Sequence, residues 1–123
     1  MSKIDIIQKI NQKLSRYLYL EMKVYSFKDN ELIIVAGKDL IYYHSYEIKF
    51  INVSTILLNS EWNVSPSENH AIQLIDKAEA KKINMSYKVI QGNNVYKILN
   101  DDNLPFYVVA ENISYEEKTV KYY

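Results

Sequence analysis

Across residues 40–58 apolar side chains recur at every second position, and that spacing constrains this chain more than any other feature. Leu40, Tyr42, His44, Tyr46, Ile48 and Phe50 fall in one set. Ile41, Tyr43, Ser45, Glu47, Lys49 and Ile51 fall in the other, which is amphipathic. A helix would scatter each set around its cylinder, whereas a strand puts each on one face. Asn52 to Ser54 are expected to bend the strand before pairing resumes at 55–58.

The same period appears earlier. Leu18, Leu20, Met22 and Val24 alternate with Tyr19, Glu21, Lys23 and Tyr25, as in a half-buried strand. Asp29-Asn30 then supplies a tight turn, because Asn tolerates the positive φ that hairpin turns require. Residues 32–36 are almost wholly apolar and read as a central returning strand, followed by a turn at Gly37-Lys38-Asp39. Successive strands on short turns make an antiparallel meander.

The first residues follow a different period. Ser2-Lys3-Ile4-Asp5 has the form of a capping box, and Ile7, Ile10, Leu14 and Tyr17 recur at steps of three and four. This predicts an amphipathic helix docked on the sheet. Residues 59–70, with Trp62 and Pro66, are mostly polar and are expected to form the main loop. Residues 72–75 are a short apolar run, either a strand or the lead-in to a helix. Asp76 has N-cap chemistry and Ala80, Ile83 and Tyr87 have helical spacing, so a second short helix is expected over 77–87. Strands follow at 95–99 and 104–110, with Pro105 placed at a strand start or edge because it cannot donate to a ladder. The spacing leaves residues 115–123 open between pairing and fraying.

The expected fold is therefore one α+β domain over residues 1–123. Its N-terminal helix packs on a mostly antiparallel, meander-rich sheet of about five to seven strands, with a second short helix inserted. A sheet curved around the first helix, or a half-barrel, meets the same pattern. A chain of 123 residues leaves little room for a second core.

Composition excludes much chemistry. There is no cysteine, so thiolate catalysis, disulfides and Cys-based metal sites are ruled out. With only Gly37 and Gly92, no Gly-rich phosphate loop or nucleophile elbow can be assembled. No cofactor and no metal are expected. His44 and Glu47, three apart on a strand, should point to opposite sides and so cannot share a ligand. Fifteen basic residues balance fifteen acidic ones, which offers no electrostatic footprint for nucleic acid or an anionic membrane. The N-terminal residues lack a continuous apolar signal segment, and a cytoplasmic location is expected. Richness in Lys, Ile, Asn and Tyr is what AT-rich coding sequence produces.

Two functional classes lead, ahead of a structural subunit of a larger complex. The first is non-catalytic binding of another protein or of a second copy, as in a bacterial immunity or accessory factor, with Ile41, Tyr43, Ile51 and Trp62 as contact residues. Trp62 has an equally plain alternative as a plug folded over the core. The second class is a small-ligand site or enzyme with its pocket between helix and sheet, around Tyr42, His44 and Tyr46. An inward imidazole satisfied by neighbouring phenols is the plainer account of His44. No nucleophile or oxyanion device stands near it in the sequence, which points away from catalysis without deciding the matter.

Overall fold

The computed structural model describes residues 2–75, 79–80 and 93–123. The first helix, α1 (Lys3–Leu14), starts as its capping box predicts: Ser2 Oγ accepts from the Asp5 N–H at 3.2 Å and Asp5 Oδ2 from the Ser2 N–H at 3.4 Å. Ile7, Ile10 and Leu14 form its buried stripe. Lys13 and Arg16, at the other end, each approach Glu117 at 3.8 Å. Those pairs are exposed and contribute little beyond orienting the helix.

Seven strands follow among the described residues: β1 (Leu20–Lys28), β2 (Glu31–Gly37), β3 (Tyr43–Leu57), β4 (Glu61–Val64), β5 (Ile72–Leu74), β6 (Asn94–Ile98) and β7 (Phe106–Lys121). They form one sheet in the order β4-β1-β2-β3-β7-β6-β5, and every neighbouring pair is antiparallel. The sheet curls into a half-barrel. Its core face supplies Leu20, Met22, Leu32, Ile34, Ile48, Phe50, Ile98 and Val108, which meet Ile10 and Leu14 of the helix in one cluster. Burying each such side chain contributes about 1.5–3 kcal/mol. Ring contacts fix the packing: Phe50 meets Tyr96 edge-on at 5.3 Å, and Trp62 meets Phe106 at 5.5 Å.

The first hairpin matches its sequence signal. Asp29 and Asn30 both have positive φ, 53° and 62°, as a primed two-residue turn demands. Asn52, at φ 55°, marks the expected bend in β3, and the β3–β7 register shifts just beyond it, between Val53 and Thr55. The strand nonetheless runs unbroken through the bend, as a bulge allows.

Four expectations need correction. β1 begins at Leu20, leaving Leu18 82% exposed, and continues to Lys28. Residues 40–42 do not belong to β3, because Asp39 draws the chain into a turn. Its carbonyl accepts from the Tyr42 and Tyr43 N–H groups at 3.2 Å, and its Oδ1 accepts from Ile41 N–H at 3.2 Å. Local bonds to an Asp thus outcompete the ladder that alternation implied. The polar stretch 59–70 contains β4, whose alternation of two inward and two outward residues is too short to register as a pattern. Strand β7 runs far beyond residue 110, so the tail pairs as far as Lys121. The second helix expected over 77–87 lies outside the described residues, apart from Glu79 and Ala80.

Candidate functional site

The β1–β4 ribbon carries a cleft. Its register pairs Leu20 with Val64, Glu21 with Asn63, Met22 with Trp62 and Lys23 with Glu61. Leu20, Met22, Trp62 and Val64 are buried in the core, so the alternation of a strand sends Glu21, Lys23, Glu61 and Asn63 to the outer face. The cleft, about 570 Å³, lies along that outer face, on the side away from α1.

Three further segments wall it. Tyr19 precedes β1 and donates its hydroxyl to Asn63 Oδ1 at 2.8 Å. The 38–42 turn is tied to β1 by the Leu40 N–H, which donates to Glu21 Oε1 at 2.9 Å. The β6–β7 turn brings Asp102, and that turn docks on β4 by an Asp101 N–H bond to the Asn63 carbonyl at 2.9 Å. Tyr122 closes the far end, where its N–H donates to the Tyr42 carbonyl at 2.8 Å.

Acids dominate the lining: Glu21, Glu61 and Asp102 face one ammonium, that of Lys23. Lys23 is drawn over the Tyr122 ring, 4.7 Å from its centroid. Among the described residues neither Glu61 nor Asp102 has an ion-pair partner. Burial, and then the Glu21 and Asp101 carboxylates, raise the Tyr19 phenol above its ordinary value. The cleft is therefore a negative surface with aromatic walls.

Its rim is apolar and exposed. Ile41 is 77% exposed at the tip of the Asp39 turn, Tyr42 and Tyr19 are about half exposed, and Tyr123 is open to solvent beside Tyr42 at 6.4 Å between rings. Large apolar side chains gathered around a polar hollow are the composition of a contact surface.

His44 adjoins this region but is sealed. It is fully buried, with its ring against Tyr25 at 5.2 Å and Tyr122 at 5.5 Å. Nε2 lies 2.8 Å from Glu47 Oε2, and Nδ1 meets the Tyr122 hydroxyl. A carboxylate only accepts, so Nε2 donates to Glu47; in the neutral imidazole Nδ1 then accepts from the Tyr122 hydroxyl. Burial, followed by Tyr25 and Glu47, raises the Tyr122 phenol. The expectation that His44 and Glu47 diverge is wrong. Two steps on β3, from His44 to Tyr46, oppose three on β7, from Val120 to Glu117. The β2 ladder already ends at Tyr46, so the pleat is released there and both side chains reach one side.

The sequence-derived sets come apart. Tyr42, His44 and Tyr46 do not converge: Tyr42 lies against Tyr123, and the Tyr46 hydroxyl pairs with that of Tyr17 at 3.1 Å. Of the four contact residues, Ile41 is the exposed one, while Tyr43 and Ile51 are half-buried in β3. Trp62 is 6% exposed and packed on Phe106, the plug alternative. Tyr19, Glu21, Glu61, Asp102 and Tyr122 were missed. The outward alternation of Glu21 and Lys23 was the one signal available; the others are joined to it only by the fold. Among the described residues no three His, Asp or Glu side chains group as a metal site, and no helix is long and apolar enough to cross a membrane. Comparison with protein-family models, curated proteins and solved structures finds no match to this chain.

Proposed function

We propose that this domain binds another protein through the outer face of its β1–β4 ribbon, in the manner of an immunity or accessory factor. The observation that carries this reading is Ile41. An apolar side chain 77% exposed stands on a turn held by three hydrogen bonds to Asp39, with a fourth from Leu40 to Glu21. A rigid, outward aliphatic group loses little freedom on contact, which makes it an efficient anchor. Charge supplies the partner's chemistry: Glu21, Glu61 and Asp102 favour a Lys or Arg side chain entering the cleft beside Tyr19 and Tyr122. A pocket at His44 has less support, because both ring nitrogens are engaged and none of the ring meets solvent.

Lysate capture with wild-type protein and with Ile41→Asp tests the reading. Wild-type bait is expected to retain a protein that Ile41→Asp loses by tenfold or more, with unchanged melting of the variant and weaker retention as salt rises. Equal recovery by both baits contradicts the reading. A second copy of the chain as the retained species turns it into homodimerisation through the same face.

A further inference from the structure

Among the described residues β5 ends the sheet, and an end strand presents unpaired peptide groups that invite a further strand. Leu99 N–H donates to the Ala71 carbonyl and Ile75 N–H to the Val95 carbonyl, so these alternate positions face β6. Ile72, between them, must face outward. Its outward groups are both taken by one side chain. Asn11 Nδ2 donates to the Ile72 carbonyl at 2.8 Å, while Asn11 Oδ1 accepts from Ile72 N–H at 3.2 Å and from Ala71 N–H at 3.0 Å. The carboxamide exchanges both bonds with Ile72, as the peptide of an adjacent antiparallel strand would.

We propose that Asn11 is an edge guard: its carboxamide stands in for an eighth strand and keeps β5 from pairing with β5 of a second copy. A core position on a helix is an expensive place for an amide, and Asn11 lies on the buried stripe with Ile7, Ile10 and Leu14. Its three bonds satisfy the amide and also the buried peptide groups of Ala71 and Ile72, which an apolar residue would leave unpaired. What the amide adds is the closure of an edge flanked by Ile72 and the half-buried Leu74, with Ile4 exposed beside them. Pairing of two β5 edges would be isologous, each strand contributing the same groups to the other. At the opposite edge the Asn63 carbonyl of β4 accepts from the Asp101 N–H.

Light scattering on a size-exclusion column, over a hundredfold range of concentration, tests the guard. Asn11→Ala is expected to shift toward twice 14.5 kDa at concentrations where wild type does not shift, and Asn11→Ala with Leu74→Lys to return to the wild-type mass. Hydrogen exchange is expected to show the Ile72 amide protected in wild type, exposed in the dilute variant and protected again in its dimer. Asn11→Asp keeps the acceptor for Ala71 and Ile72 and loses the donor, so it is the second variant, with a smaller shift expected. Folded variants with the wild-type mass throughout overturn the proposal. Failure of both variants to fold also overturns it, because the amide is then a prop of the core rather than a guard.

Discussion

His44 Nε2 lies 2.8 Å from Glu47 Oε2, although the two residues are three apart on a single strand. The contact closes a chain of rings, Tyr25, His44 and Tyr122, over the start of β3. His44 Nδ1 also meets the hydroxyl of Tyr122, the residue that follows β7 and lines the cleft.

Removing the acceptor tests that contact. Glu47→Ala leaves a buried imidazole N–H without a partner, which costs about 1–3 kcal/mol. Glu47→Gln keeps an oxygen for Nε2 and is expected to lose less than half as much. Urea unfolding of the two variants is the measurement, and equal losses would mean that packing, not the hydrogen bond, holds His44.

Tyr96 offers the reverse case. Its side chain is fully buried against Phe50, and its hydroxyl has no hydrogen-bond partner among the described residues. Tyr96→Phe is therefore expected to leave stability unchanged or raise it by about 1 kcal/mol at neutral pH. Burial also pushes the Tyr96 phenol from 10.0 up to about 12. The folded state then holds a proton that the unfolded state releases, so stability falls as pH rises from about 10 to about 12. Tyr46, raised to about 12 by burial and its bond to Tyr17, contributes in the same direction. Chemical denaturation across that interval should show a shallower decline for Tyr96→Phe than for wild type; parallel curves would contradict the assignment.

Gly37 ends β2 where the chain turns back on itself. A Cβ there would stand 3.1 Å from the Tyr43 carbonyl oxygen, 3.2 Å from His44 Cα and 3.1 Å from a Leu40 methyl. Two of these are backbone of β3 and yield little. Gly37→Ala is expected to cost about 1–3 kcal/mol and to displace the His44 ring resonances. Unchanged melting and an unchanged imidazole spectrum would show that the turn has slack.

How far the chain was legible follows from the range of its interactions. The Ser2 capping box, the Ile7-Ile10-Leu14 stripe and the Asp29-Asn30 turn are local, and the structure has each where its residues predict. The alternation of Tyr46, Ile48 and Phe50 was equally readable. It misled at residues 40–42, where Asp39 bonds locally, and at His44, where a register shift on the partner strand re-aims the side chain. The apolar spacing of the helix passes over Asn11. Its task depends on Ile72, sixty-one residues away, and no local pattern reports that. The cleft was hidden for the same reason, since it joins β1, β4, the 38–42 turn, Asp102 and Tyr122 only after the sheet has curled.

Photo-crosslinking in cells that make the protein tests the contact face most directly, with a benzophenone amino acid at position 41 or, as the control, at position 27. Phe27 is 52% exposed on the β1–β2 hairpin and stands outside the cleft lining, so both sites meet solvent in the free domain. Position 41 is expected to yield one discrete adduct of higher mass, diminished by Glu61→Lys, and position 27 none. Adducts of equal yield from both positions, or from position 27 alone, would contradict recognition through the β1–β4 face.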